Sequence, residues 1–328
     1  MKPIALALLF VCGSTFAESL PVVPKTFTPP AGIRMEKDIP YIAGGDEAQR
    51  LDLYLPEKPA EKALPLIVHI HGGGWRAGSK FPCPVMMMVQ KGYAVASVEY
   101  RFSQKAIFPA QIQDCQAAIR WLRAHSKEYH FDTDHVGVVG GSAGGHLSAL
   151  VGTSGGKKAF SPIGGNEEQS DRVQAVCDYF GPTDFGAVVK QADEDKNVRN
   201  IFKFNTPGDP YSALIGTRLD DKPKADAVSP MHYVSQDNPP FLILHGTHDA
   251  LVPLAQSEEL AAALKESGVE VWLQKLPGAG HGGPAFAKPA LLGLIEKFFD
   301  KHLKGAPVEL TLLPEAELSV EPPKAPGK

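Results

Sequence analysis

Short apolar runs of strand length alternate along this chain with longer segments of helical spacing. Residues 64–70 are almost continuously apolar, and residues 93–98, 135–139, 241–244 and 269–273 repeat the pattern. A strand with no polar face is one covered on both sides, so these runs predict a parallel sheet buried between helices. Residues 110–125 carry Ile112, Cys115, Ile119 and Leu122 at helical spacing, and residues 293–302 read as a terminal amphipathic helix with His302 on its wet side. Residues 33–39 and 51–55 predict two strands paired antiparallel at one edge. The alternation places the chain in the α/β class. It breaks down between Asp184 and Met231, in the polar run 190–196 and the Pro207-Gly208-Asp209-Pro210 turn. That insertion, residues 185–230, predicts either a small lid or a plain surface excursion.

Two glycine clusters sit at the ends of these runs. Gly140-Gly141-Ser142-Ala143-Gly144 follows the run 135–139 and precedes a helix-forming segment, the context of a nucleophile elbow. A serine on so sharp a turn tolerates only small residues two positions away, and Gly140 and Gly144 meet that demand. With 32 glycines in the chain, the pattern alone also fits an ordinary glycine-rich turn. Upstream, His71-Gly72-Gly73-Gly74-Trp75 directly follows the run 64–70. Consecutive glycines leave backbone N–H groups uncovered, able to donate to a developing oxyanion or simply to form a flexible loop. Trp75 reads as a packing residue, with sugar stacking as the alternative.

A serine nucleophile needs a base and an orienting carboxylate, which α/β-hydrolases carry downstream in the order Ser, Asp or Glu, His. His281 lies in a glycine-rich loop after the run 269–273 and is favoured over His302 as the base. Asp249 follows the run 241–244, at the carboxyl end of a strand where open α/β sheets build their sites. Asp178 and Asp184 are its rivals, the first readable as a strand-end structural carboxylate and the second as a helix N-cap. Arg101 and Asp114 read as a buried pair bracing the glycine loop. His245 and His248 are three apart in a loop, without the ligand spacing of a zinc site, and neither a metal nor an organic cofactor is expected.

Taken together, the segments 71–75 and 140–147, Tyr100-Arg101, Phe108-Pro109-Ala110 with Asp114, Ser229-Pro230, 245–249 and 280–282 resemble the α/β-hydrolase family. Within it they are similar to esterases of the hormone-sensitive-lipase and feruloyl or acetyl-xylan esterase type. The resemblance implies an α/β-hydrolase fold, mostly parallel with helices on both faces, over residues 18–304. It implies Ser142 as nucleophile, Asp249 as orienting acid, His281 as base, and the amides of Gly73, Gly74 and Ala143 as oxyanion hole. Trp75 matches the HGGxW variant of smaller secreted esterases and arylformamidases better than the long-chain lipase motif.

A formal net charge of −4 without long runs offers no basic face to nucleic acid. Residues 1–17 have the basic start, short apolar core and small-residue cleavage site of a secretory signal, which leaves a secreted mature chain without stable membrane insertion. Cys12 raises a lipoprotein signal as the rival, against which Val11 stands where a small residue is wanted. Of the remaining cysteines, Cys115 and Cys177 read as buried, and Cys83 between two prolines as the exposed thiol. Residues 305–328, rich in Pro and charge, read as a disordered tail. The expected function is a secreted serine esterase acting on short or aromatic acyl groups, free or linked to polysaccharide. A prolyl-oligopeptidase-like peptidase, lacking here the room for a propeller domain, an arylformamidase and a non-catalytic binding module on the same scaffold are the alternatives.

Overall fold

The apolar runs become the strands they predict. In the computed structural model, which describes residues 27–199 and 203–322, β1 (Ile33–Pro40) and β2 (Arg50–Pro56) precede β3 (Leu64–Ile70), β4 (Ala94–Val98) and β5 (Phe131–Gly141). β6 (Ala175–Tyr179), β7 (Phe241–Gly246) and β8 (Val271–Leu276) complete one sheet of order β1-β2-β4-β3-β5-β6-β7-β8. β1 and β2 pair antiparallel at the edge, β2 also pairs antiparallel with β4, and the remaining pairings are parallel. This is the α/β-hydrolase architecture expected from the sequence. Residues 1–17, expected to be a signal segment, and residues 323–328 of the tail lie outside the described residues.

Period-two alternation sends neighbouring strand residues to opposite cores. Leu66, Val68 and Ile70 of β3 meet α1 (Ala110–Ala124) and, after α2 (Ser126–Tyr129), α3 (Ala143–Ser154), through Ile112, Ile119, Leu147 and Leu150. α4 (Val188–Glu194), α5 (Pro210–Ile215) and α6 (Lys222–Val228) form the insertion between β6 and β7, and α7 (Leu254–Glu266) follows on the same face. Ile67, Val95 and Val139 face the other way, onto Leu294, Ile295, Phe298 and Phe299 of α8 (Pro289–Lys304). Each such fully buried side chain contributes roughly 1.5–3 kcal/mol. The insertion adds Tyr211, Leu214, Ile215 and Val228 to the first core, so its apolar side chains are structural.

Three expectations are corrected. Cys83 is not exposed but completely buried with Tyr54, Val89 and Val95, and burial pushes its thiol up to about 12. His302 is not on a wet face: its side chain is 11% exposed, with ring centroids 5.7 Å from Trp272 and 5.0 Å from Phe298, and burial lowers it to about 4. The tail expected to be disordered is ordered through residue 322, because its scattered apolar side chains find a groove. Leu318 of α9 (Glu315–Leu318) is completely buried, and Leu310, Leu313 and Val320 pack against the same core. Gln274 of β8 exchanges hydrogen bonds with the Leu313 backbone, and Val320 N donates to Pro277 O at 3.0 Å.

The tail thus anchors on the loop that carries His281. Leu318→Ala is expected to lower unfolding free energy by about 2–4 kcal/mol, the cost of emptying a buried leucine site. Urea denaturation checks this, and a change below about 0.5 kcal/mol, the scale of an exposed site, would show the contact to be superficial.

Candidate active site

Three strand ends place three side chains at one point. Ser142 follows β5 and precedes α3 with φ 58° and ψ −121°, a conformation that L-residues enter only under constraint. The constraint is contact: a Cβ on Gly140 would lie 2.6 Å from Ile70 O, and one on Gly144 would lie 2.1 Å from it. Only bare backbone lets the turn settle against the end of β3. Ser142 N donates to Tyr179 O at 2.9 Å, fixing the turn to β6 as well.

Asp249 lies past the end of β7 and His281 past that of β8. His281 Nδ1 donates to Asp249 Oδ2 at 2.7 Å, which leaves Nε2 facing Ser142 Oγ at 2.9 Å. An imidazole so oriented can accept the hydroxyl proton. The Asp249 carboxylate is almost fully buried, and its Oδ1 accepts the Leu251 and Val252 N–H groups at 2.8 and 3.0 Å. Burial alone would raise its pKa, but the His281 charge and the hydrogen bonds from His245 and His281 outweigh it and hold the carboxyl well below its usual range. The Phe180 ring, 4.4 Å between centroids, covers one side of His281.

The segment after β3 runs beside the serine: a Cβ on Gly72 would lie 3.5 Å from Ser142 Cβ. Gly73, Gly74 and Trp75 follow with φ of 113°, 61° and 58°, three successive positive values that turn the chain back on itself. The N–H groups of Gly73, Gly74 and Ala143 have no hydrogen-bond acceptor among the described residues. Unpaired amides at the start of α3 and in this loop suit an incoming negative oxygen.

Partners remote in sequence hold this loop, and sequence reading missed them. His71 Nδ1 lies 2.7 Å from Gly72 O and its Nε2 2.8 Å from Glu99 Oε1, its ring stacks on Tyr100 at 4.4 Å, and Glu99 Oε2 accepts Lys80 N at 3.0 Å. Trp75 Nε1 donates to His146 Nδ1 at 3.1 Å, and His146 Nε2 donates to Val228 O at 2.8 Å. Burial lowers His146 to about 4, so the ring is neutral at neutral pH and can accept from the indole. Trp75 is 2% exposed, which makes it a packing residue and removes the sugar-stacking alternative. Arg101 and Asp114 pair at 2.8 Å, and separately Ser103 N donates to Trp75 O at 2.8 Å.

The rival carboxylates stand apart from the serine and imidazole. Asp184 accepts Ala187 N at 2.9 Å at the approach to α4. Asp178 is completely buried, accepts Gly181 N through Oδ1, and has no partner for Oδ2. His245 donates through Nε2 to Val252 O at 3.1 Å and approaches Asp249 Oδ2 at 3.3 Å, and it meets Ser257 through Nδ1. His245 therefore supports the acid, a role that His248, three residues on and bonded to Thr247, does not share.

The BD-FAE family profile matches residues 51–264. Esterase LipQ of Mycobacterium tuberculosis is 34% identical over 249 residues, which are 74% of this chain and 56% of that protein. This chain thus spans little more than half of that relative's length. A truncated carbohydrate esterase from gut microbiota superposes with a TM-score of 0.71 at 29% identity, covering 83% of this chain and 96% of that one. An acetyl ester-xyloside bifunctional hydrolase from Caldicellulosiruptor lactoaceticus gives 0.62 at 30% identity, over 77% and 87% of the two chains.

Asp178 supplies a pH signature independent of turnover. Burial, only partly offset by the Gly181 N–H and the His245 charge, raises it from 3.8 to about 6 in the folded chain. Its contribution to stability is therefore complete below about pH 4 and is lost as pH rises through about 6. Asp178→Asn keeps the shape and removes the ionisation. It should gain on the wild type by about 2 kcal/mol between pH 4 and pH 7.5 in urea midpoints, and a difference that stays constant over this range would contradict the assignment.

Proposed function

The chain belongs to the BD-FAE family, and from that premise we propose that it is a serine carboxylic-ester hydrolase working through an acyl-enzyme. The observation that carries this reading is the continuous line Ser142 Oγ to His281 Nε2 at 2.9 Å and His281 Nδ1 to Asp249 Oδ2 at 2.7 Å. His281 takes the hydroxyl proton as Ser142 attacks the ester carbonyl, and the anionic Asp249 steadies the imidazolium that results. The amides of Gly73, Gly74 and Ala143 receive the oxyanion, an arrangement in which one lost donor typically costs about 10²–10³ in turnover. His281 then returns the proton to the leaving alcohol, and water repeats the attack on the acyl group.

The substrate reading is a short or aromatic acyl ester, plausibly on a carbohydrate. What supports it is the character of two structural relatives, a carbohydrate esterase and an acetyl ester-xyloside bifunctional hydrolase. Aromatic packing around the loop supports a small site as well, since Trp75, Phe185 and Tyr211 fill the space behind it. In the same reading residues 1–17 serve as a secretory signal and the activity lies outside the cytoplasm, which the basic start, short apolar core and small-residue site of that segment support.

Ser142→Ala is expected to lower kcat on an acetylated xyloside by about 10⁴-fold or more with an unchanged melting temperature, and His281→Ala to act comparably. His302→Ala should stay within about twofold of wild-type kcat while losing stability, because its ring fills space between Trp272 and Phe298. Steady-state kinetics checks all three. A Ser142→Ala protein that kept a tenth of wild-type turnover would remove the nucleophile.

A further inference from the structure

Tyr211 stands behind the glycine loop with a hydroxyl that no described residue engages. Its backbone is fixed by Asp209, whose Oδ1 accepts the Tyr211 N–H at 2.8 Å. Its ring is enclosed by Trp75, Phe185 and Phe204, with centroids 5.3, 5.0 and 5.1 Å away. The residue is 2% exposed, and its hydroxyl makes no hydrogen bond to any described residue.

Its neighbours tie this hydroxyl to the reacting region. Pro210 lies 3.5 Å from the position a Cβ would take on Gly74, and Trp75 is the next residue of that loop. Burial first, and then the carboxylates of Asp249 and Asp209, disfavour ionisation of the phenol, so it remains a donor. A rigid donor that is buried and has no partner among the described residues discriminates strongly, because a ligand lacking an acceptor leaves it unsatisfied.

We propose that the Tyr211 hydroxyl is a specificity-determining donor, which hydrogen-bonds an ether or hydroxyl oxygen of the substrate beyond the reacting carbonyl. It selects oxygenated esters over hydrocarbon esters of the same shape. The inference rests on the esterase reading above, and it assigns that site a chemical preference that the triad itself does not set.

Tyr211→Phe in the full chain tests it with two matched substrate pairs. Methyl xyloside monoacetate against cyclohexyl acetate varies the alcohol, and ethyl methoxyacetate against ethyl butyrate exchanges one oxygen for a methylene in the acyl chain. The variant is expected to lose about tenfold in kcat/KM on the oxygenated member of one pair, mainly through KM, and to stay within about twofold on its hydrocarbon partner. The affected pair identifies the side of the ester that Tyr211 reads. Equal losses on both members, or no loss in either pair, would overturn the proposal while wild-type turnover kept the esterase reading intact. Wild-type protein inert toward all four esters would overturn the esterase reading itself.

Discussion

The fit of a bare turn against the end of β3 is the constraint on which the site depends. Side chains at Gly140 or Gly144 would drive into the Ile70 carbonyl, at 2.6 and 2.1 Å. With hydrogen in those places, β5 turns directly into α3, and Ser142 accepts a positive φ that its own side chain disfavours. The same close approach brings the segment 72–75 alongside the serine. Hydroxyl and uncovered amides therefore owe their common location to one steric fact, and α3 contributes its first N–H to the same point.

Charge is arranged around that point asymmetrically. Asp249 is desolvated yet held anionic by two backbone N–H groups and two imidazoles. Asp178, equally buried but with one oxygen unpartnered, is pushed toward its neutral form. The difference lies in donors rather than in burial, and it makes Asp249 the carboxylate able to stabilise a cation on His281. On the opposite side of the serine, Glu99 fixes His71, and His146 joins Trp75 to the carbonyl of Val228. The insertion and the glycine loop 72–75 are thereby one unit with α3.

The sequence makes most of the sheet legible because the central strands other than β6, which Asp178 interrupts, are apolar runs of strand length, and the antiparallel strands β1 and β2 lie where expected. Ser142, His281 and Asp249 could be singled out because their chemistry is local: each stands in a glycine-bearing or strand-end segment readable by itself. Glu99, His146 and Tyr211 could not, since their meaning comes from partners 28, 71 and 136 positions away that only folding supplies. The same cause explains the corrections. Cys83 between prolines and the Pro-rich tail look exposed by composition, whereas Tyr54, Val95 and the groove beside β8 provide burial that composition does not encode. His302 was misplaced by its helical phase, because Trp272 from β8 covers the side that would otherwise face water.

Labelling with a fluorophosphonate, followed by mass spectrometry of the digested folded chain, addresses the convergence of hydroxyl, imidazole and carboxylate most directly. Phosphonylation requires a serine oxygen whose proton an adjacent base can remove, so activation is read without any choice of substrate. The account predicts a single stoichiometric adduct on the peptide containing Ser142, abolished when the chain is unfolded in urea. A folded chain left unlabelled, or labelled on another serine, would contradict it.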